Sequence, residues 1–351
     1  MTERANAVSV ICQAAQRAAA HLLERAEVVE LIVLAALAGE HVLLVGPAGT
    51  GKSTIAQRVA QAFGGRHFQY LFGRSSELVE IFGANSDAEL TARPSNTLLT
   101  SEFGYLDELF AGSSPMLNRV LSALHEVERT LQVCVAACQR RPEDLTLLSV
   151  ADRFLVNCHL APVPDHHLER LLQQGRLLQG AVNGDPEALS SLQIVRQAAC
   201  EVDLSEVQAA LASAVRALRR VGVNLSDRRI VRAQGLIATV AALDGCACAG
   251  EQHLWPLLYV VPDAAEQAQA RGALAHLLDC AVHPLQKRNS ELAAFAPVSE
   301  VSRLLEQVKA LDLSDASAVQ SWLNQLARHF PDAHLPAELQ PWRDLARAAQ
   351  A

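Results

Sequence analysis

The chain has 351 residues, half of them hydrophobic and only 4% aromatic, with a formal net charge of −8. Ala, Leu and Val dominate, which favours a helix-rich α/β protein of two or three subdomains over an all-β one. The acidic balance gives no overall basic footprint for nucleic acid. The most apolar run, Val28 to Ala38, is interrupted by Glu30 and too short to span a bilayer.

The N-terminus leads into an amphipathic stretch and not an apolar signal region, so a cytoplasmic protein is expected. The eight cysteines are scattered, and Cys246-Ala-Cys248 lacks a matching partner pair. They read as small buried hydrophobes in a reducing compartment. His166 and His167, beside Asp165, point in different directions on a helix and read as surface residues at a helix start.

In chain order, residues 6–38 read as one helix, with Gln13, Gln16, Arg17, Glu24 and Arg25 on its polar face. Gly39 ends it, as a C-terminal glycine does. The apolar run Val42 to Val45 then enters Gly46-Pro47-Ala48-Gly49-Thr50-Gly51-Lys52-Ser53-Thr54, and helix formers follow from Ile55 to Ala60. Strand, glycine-rich loop and helix in that order make a P-loop. Glycines let the backbone wrap an anion with its N–H groups turned inward, and the helix start adds unpaired donors. Lys52 supplies a point charge for the β- and γ-phosphates, and the Ser53 hydroxyl can ligate Mg²⁺. A nucleotide with Mg²⁺ is therefore expected, held by Gly46 through Thr54.

A short strand at His67–Leu71 and a brief helix from Ser75 to about Phe82 come next, then a polar, turn-rich stretch over 84–98. Phe103 to Leu106 closes on Asp107 and Glu108. Asp107 is placed to hold Mg²⁺ through its water shell and Glu108 to polarise an attacking water. The strand carrying them is expected beside the P-loop strand. A helix from Pro115 to Glu128 leads to an uninterrupted apolar strand at Val133–Ala137, and Phe154–Val156 reads as another strand. Strands alternating with helices over 40–160 predict a parallel sheet with right-handed crossovers.

From Pro162 on, the pattern is almost purely helical. One helix starts at Asp165, Pro186 opens another after an Asn183-Gly184-Asp185 turn, and helices follow over 186–201, 204–222, 227–244 and 251–260. In 286–351 an apolar stripe runs through Val319, Trp322, Leu323, Leu326 and Phe330.

These motifs resemble the MoxR family of AAA+ ATPases, and especially its RavA-like branch. The likeness rests on Gly39-Glu40-His41-Val42-Leu43-Leu44-Val45-Gly46-Pro47, Phe68-Gln69-Tyr70-Leu71 leading to Glu80-Ile81-Phe82-Gly83, and Leu106-Asp107-Glu108-Leu109-Phe110. Pro115-Met116-Leu117-Asn118, Ala151-Asp152-Arg153-Phe154 and Leu225-Ser226-Asp227-Arg228-Arg229 continue it, over about residues 25–285. The resemblance implies an α/β P-loop NTPase with a parallel five-stranded sheet flanked by helices. It divides the chain into a nucleotide-binding core (1–162), an all-helical lid (163–285) and a helical C-terminal extension (286–351).

It also implies a ring, usually a hexamer, with ATP at subunit interfaces, a von Willebrand factor A-type partner and an unidentified client protein. By position, Lys52 and Ser53 are Walker A, and Asp107 and Glu108 are Walker B. Arg153 looks like the arginine finger acting on a neighbour's γ-phosphate, and Arg228 matches the sensor-2 arginine of the lid. From the residues alone, Asp152-Arg153 also reads as a surface ion pair and Arg228-Arg229 as a solvated helix start.

The chain departs from the family in three places. Cys138-Gln139 stands where the sensor-1 asparagine is usual, the family's Glu-Arg after Asn118 falls on Glu126-Val127 or Glu128-Arg129, and no RavA-like β-rich module is expected in 286–351, which reads as short and helical. Two functions follow: an ATPase that remodels or activates a client, or a nucleotide-dependent assembly scaffold that hardly hydrolyses, motivated by Gln139. A DNA-acting AAA+ protein is opposed by the acidic charge. A small-molecule kinase needs neither a trans arginine nor a long helical lid.

Overall fold

The computed structural model describes residues 3–73, 76–82, 97–124, 130–178, 180 and 182–285, and in the tail 308, 319, 320, 322–324, 326 and 339–348. The chain forms two compact units, Met1–Leu285 and Gln286–Ala351.

In the first unit the N-terminal segment is two helices, not one. Helix α1 (Glu3–Ala19) and α2 (Ala26–Ala38) are separated by a turn in which His21 and Glu24 take positive φ of 65° and 57°. Left-handed backbone stops an α-helix within a residue. Gly39, at φ 71°, ends α2 with its N–H turned back to Ala35 and Ala36, as the sequence predicts.

Strand β1 (Val42–Val45), helix α3 (Lys52–Ala62), β2 (His67–Leu71), α4 (Leu78–Phe82), β3 (Phe103–Asp107), α5 (Ser114–Leu124), β4 (Val133–Cys138), α6 (Leu145–Ala151) and β5 (Val156–His159) follow. The last strand lies two residues later than the sequence suggests, because the Phe154 and Leu155 carbonyls are taken by Arg229. The predicted helix end at 125–128 and most of the 84–98 stretch lie outside the described residues.

All strand pairs are parallel, in the order β2-β3-β4-β1-β5. The expectation that the Asp107 strand lies beside the P-loop strand is therefore wrong. Strand β4 sits between them, its six apolar residues all buried, as a central strand requires.

Side chains alternate across β1. Val42 and Leu44 point into a core shared with α1, α2 and α3, while Leu43 and Val45 point into a second core with α5 and α6. After β5 come α7 (Leu168–Leu177), α8 (Ala188–Cys200), α9 (Gln208–Arg220), α10 (Asp227–Asp244), α11 (Leu257–Val260), α12 (Ala264–Ala273) and α13 (Ala275–Asp279). Pro186 precedes α8 by two residues instead of opening it. The predicted 251–260 helix is broken into a 3₁₀ turn (Glu251–His253) and α11, and α12 and α13 were not foreseen. Helices α8 and α10 pack against α1 and α2, in the same core as the sheet's first face.

Side-chain expectations fail in three further places. Arg25 is buried at 9% exposure, not on a polar face. His167 is buried with Nε2 3.6 Å from Glu24. Of the cysteines only Cys12, Cys134, Cys138 and Cys158 are buried, while Cys200, Cys248 and Cys280 are exposed.

The second unit has a small core of its own. Val319, Trp322 and Leu326 from the predicted stripe pack with Val308, Leu339 and Ala346, the last on α14 (Gln340–Ala348). Phe330 lies outside the described residues.

Trp255 anchors the helices that follow the sheet. It is 1% exposed, meets Tyr259 edge-on and donates its indole N–H to the Val282 carbonyl at 2.9 Å. Removing it leaves a cavity and an unpaired carbonyl, so Trp255→Ala should lower stability by about 3–5 kcal/mol in urea unfolding. A loss under about 1 kcal/mol would contradict this packing.

Candidate functional site

Parallel strands deliver their C-terminal ends to one edge of the sheet, and that edge carries the glycine-rich loop after β1. Gly46 follows β1, and a Cβ there would meet the Leu160 carbonyl oxygen at 2.4 Å. Gly49 and Gly51 take φ of 80° and 87°, conformations only glycine enters freely. Gly51 occupies the N-cap of α3 and offers no side chain to it, so the first-turn N–H groups at Lys52, Ser53 and Thr54 have no capping acceptor.

Pro47, Ala48 and Gly49 are exposed, and the Thr50 hydroxyl donates to the Pro47 carbonyl at 2.9 Å. Lys52 is buried with Nζ 2.7 Å from the Gly46 carbonyl and 2.9 Å from that of Pro47, which holds its charge over the loop. Open space at Gly49 and Gly51, oriented N–H groups and a fixed cation suit a polyphosphate.

Asp107 ends β3, and its Oδ1 accepts the Glu108 N–H at 3.1 Å. Glu108 adopts φ 49° and ψ 44°, a left-handed backbone that costs a residue with a Cβ on the order of 1 kcal/mol or more. Gln139, just past β4, donates its amide N–H to Glu108 Oε1 at 2.8 Å. The Gly46 N–H reaches the Cys138 carbonyl at 3.1 Å, so β4 delivers Gln139 between the P-loop and the paired carboxylates. Burial, then the Glu108 charge, push the Cys138 thiol up to about 12.

Arg25, which the helical pattern puts on a polar face, joins this edge instead. The turn that breaks the N-terminal helix sends its guanidinium inward, donating to the carbonyls of Ala161 (2.6 Å) and Thr50 (3.4 Å), the latter within the P-loop. Burial lowers its pKa, against the nearby Glu24 charge.

The opposite, N-terminal edge carries arginines. In the β1–β5 register Val42 lies beside Val156, so Arg153 sits below the start of β1 and not near its end. A rise of about 3.3 Å per residue puts the two edges ~16 Å apart across His41 to Gly46. Arg153 and Arg228 line one cavity of about 460 Å³ there, with Gly39, Glu40, His41, Leu124 and Arg232. The structure thus brings Glu108 and Gln139 together with the P-loop strand's end. It sets Arg153 and Arg228 together elsewhere.

Asp152 does not pair with its neighbour Arg153. Its Oδ1 accepts from Arg229 Nε at 2.7 Å. Arg229 is buried at 1% exposure, so of Arg228-Arg229 only the first matches a solvated helix start. Arg232 binds both carboxylate oxygens of Glu40 (Nε to Oε1 2.9 Å) and reaches the Arg153 carbonyl at 3.3 Å. These ties join residues 77 and 192 positions apart, and no local pattern announces them.

Among the described residues one group of possible metal ligands lies away from both edges: Asp244, Cys246 and His253. Its geometry opposes a metal. His253 Nδ1 accepts the Gly250 N–H at 2.9 Å, which leaves the proton on Nε2, the nitrogen 3.4 Å from Asp244 Oδ2.

A thiol of pKa about 12 is a poor nucleophile at pH 8. Alkylation of the native protein at that pH should modify Cys200 and Cys248 and spare Cys138, read by peptide mass mapping. Modification of Cys138 at a comparable rate would mean that β4 is not buried as described.

With this geometry in hand, comparison with known proteins gives three findings. Residues 9–198, more than half of the chain, match the family described as the MoxR domain in MoxR–vWA–beta-propeller ternary systems. Two uncharacterized proteins of Methanocaldococcus jannaschii are each 27% identical, over 67% and 64% of this chain. The matches span 66% and 63% of those relatives, just under two thirds of their length. A crystal structure of a proposed ATPase from Cytophaga hutchinsonii superposes with a TM-score of 0.61 at 12% identity, over 80% of this chain and 96% of that one. At that identity it bears on the fold alone, and it agrees with the P-loop α/β architecture. The RavA-like branch rests on the sequence resemblance only. The chain belongs to the MoxR family of AAA+ proteins.

Proposed function

We propose that this protein is a ring-forming ATPase in which each nucleotide site is completed by arginines of the next subunit. The observation that supports this is the separation of the two edges. Arg153 lies ~16 Å or more from its own P-loop, further than an arginine side chain extends. A γ-phosphate-neutralising role for it therefore requires a neighbour. Arg228, in the same cavity, would serve the same foreign site, so this reading moves the sensor-2 arginine from its own nucleotide to the neighbour's.

In the receiving subunit, Gly46 to Thr54 bind the phosphates and Lys52 neutralises them. Ser53 and Asp107 would hold Mg²⁺, which supplies charge neutralisation when bound. Glu108 orients and deprotonates the attacking water, and Gln139, through its contact with Glu108, does the work of the missing sensor-1 asparagine. Arg25 braces the P-loop backbone through Thr50.

The division into a core (1–162), a helical lid (163–285) and a C-terminal extension (286–351) belongs to this reading, as does a hexameric ring. The matched family's description names a von Willebrand factor A-type and a β-propeller component, which supports a partner of the first type here, and the client acted on belongs to this reading alone. Among the described residues no helix is long and apolar enough to cross a membrane, which accords with a cytoplasmic protein.

One observation favours the scaffold alternative. Gln139 occupies a carboxylate oxygen of Glu108 while Glu108 holds a left-handed backbone. If that contact restrains the base, Gln139→Ala raises steady-state phosphate release; if it positions the water, release falls.

For the ATPase, Glu108→Gln should retain ATP binding and lower turnover by about 10²-fold or more. Arg153→Ala should do the same by roughly 10³-fold. Phosphate release by the assembled protein no faster than the Glu108→Gln background would select the scaffold. Unchanged hydrolysis in Arg153→Ala would remove the trans arginine.

A further inference from the structure

Arg153 and Arg228 come from different parts of the chain, one before β5 and one in the first turn of α10. Two arginines that act on one phosphate must be held at a fixed spacing, because a misplacement of about 1 Å costs on the order of 10²-fold in rate. Something must fix α10 against the β5 entry, and Arg229, in the first turn of α10, is buried between them and bonded to the β5 entry.

Resting on the trans reading above, we infer that Arg229 is the positioning residue that sets Arg153 and Arg228 as one unit. Its guanidinium donates to Asp152 Oδ1 (2.7 Å) and to the carbonyls of Phe154, Leu155 and Val260 (each 2.8 Å). Two of those partners flank Arg153 directly in sequence, so the backbone carrying the arginine is gripped on both sides. The same helix turn carries Arg228, and Ser226 Oγ caps it through the Arg229 N–H at 3.4 Å.

The planar fork of an arginine suits this role and lysine does not. Four acceptors in fixed directions match its N–H groups, whereas an ammonium has three donors on a flexible stem. Burial lowers the Arg229 pKa, and the Asp152 carboxylate opposes that shift. An arginine keeps its charge in such a site, so the tie does not loosen with physiological pH.

Arg232 adds a second tie, from the same helix to Glu40 and to the Arg153 carbonyl. The start of α10 and the arginine-bearing segment then move together. A positional change in the helical region would reach the neighbour's nucleotide through both arginines at once.

The test uses mixed assemblies of full-length subunits, co-expressed in pairs. A Glu108→Gln subunit has a dead site but an intact arginine pair; an Arg153→Ala subunit has an intact site and a defective pair. Their mixture should recover turnover, which is the control for the trans reading. Arg229→Lys should bind ATP with the parent's affinity and lose turnover by about tenfold or more. Mixed with Glu108→Gln it should recover as Arg153→Ala does; mixed with Arg153→Ala it should not.

Because Asp152 is partly exposed, Asp152→Asn keeps a polar partner for Arg229. It should show the same pattern in weaker form, and it decides the matter if Arg229→Lys does not fold. Control recovery without recovery of the Arg229→Lys or Asp152→Asn mixture with Glu108→Gln overturns the positioning role alone. Recovery with Arg153→Ala subunits overturns it as well. Failure of the control overturns the trans reading, and this inference with it.

Discussion

The constraint on which everything else depends is that five strands run the same way. A parallel sheet has two chemically different edges, and each strand must present its end to one and its beginning to the other. The loop after β1, the carboxylates at the end of β3 and the amide after β4 are thus gathered by strand direction, and the Gln139–Glu108 hydrogen bond then joins two of them. The same rule places the segments before β1 and β5, with Glu40 and Arg153, on the far side. In the proposed ring, a subunit built this way would carry half of a phosphate site on one edge and the complementary cations on the other.

Two kinds of interaction hold those halves. The phosphate edge is shaped mainly by backbone: glycines at positive φ, a close approach of Gly46 to Leu160, and a helix start without a cap. The arginine edge is shaped by ion pairs that each have one well-buried member, Arg229 with the partly exposed Asp152 and Glu40 with the partly exposed Arg232. Breaking such a pair strands its buried charge, so the pairs tie distant segments more by the cost of separation than by net attraction. That suits an element whose geometry matters more than its stability.

The phosphate loop was legible because its chemistry is local. Gly46 to Ser53 dictate a turn, a nest and a helix start within a few residues, and the Val42–Val45 run and the Gly39 cap carry equally local signals. Strand order was not legible in the same way. Nothing in Phe103–Asp107 says which strand lies beside it, and the insertion of β4 is a matter of crossovers and burial. The N-terminal break is not legible because apolar spacing continues through residues 20–25, and the positive φ falls on His21 and Glu24, where no glycine announces it. Arg25, Arg229 and Arg232 look like surface residues in a sequence. Burying them requires acceptors that only the folded chain supplies, at carbonyls and carboxylates far away along it.

The central claim is that the nucleotide site is shared between subunits. Its most direct test is ATP turnover per subunit measured across a protein dilution series, with the assembly mass followed by sedimentation in the same samples. Turnover per subunit should rise steeply as the mass passes from monomer to ring and then level off. A constant turnover per subunit from monomer to assembly would show a site complete within one chain, and would contradict the account.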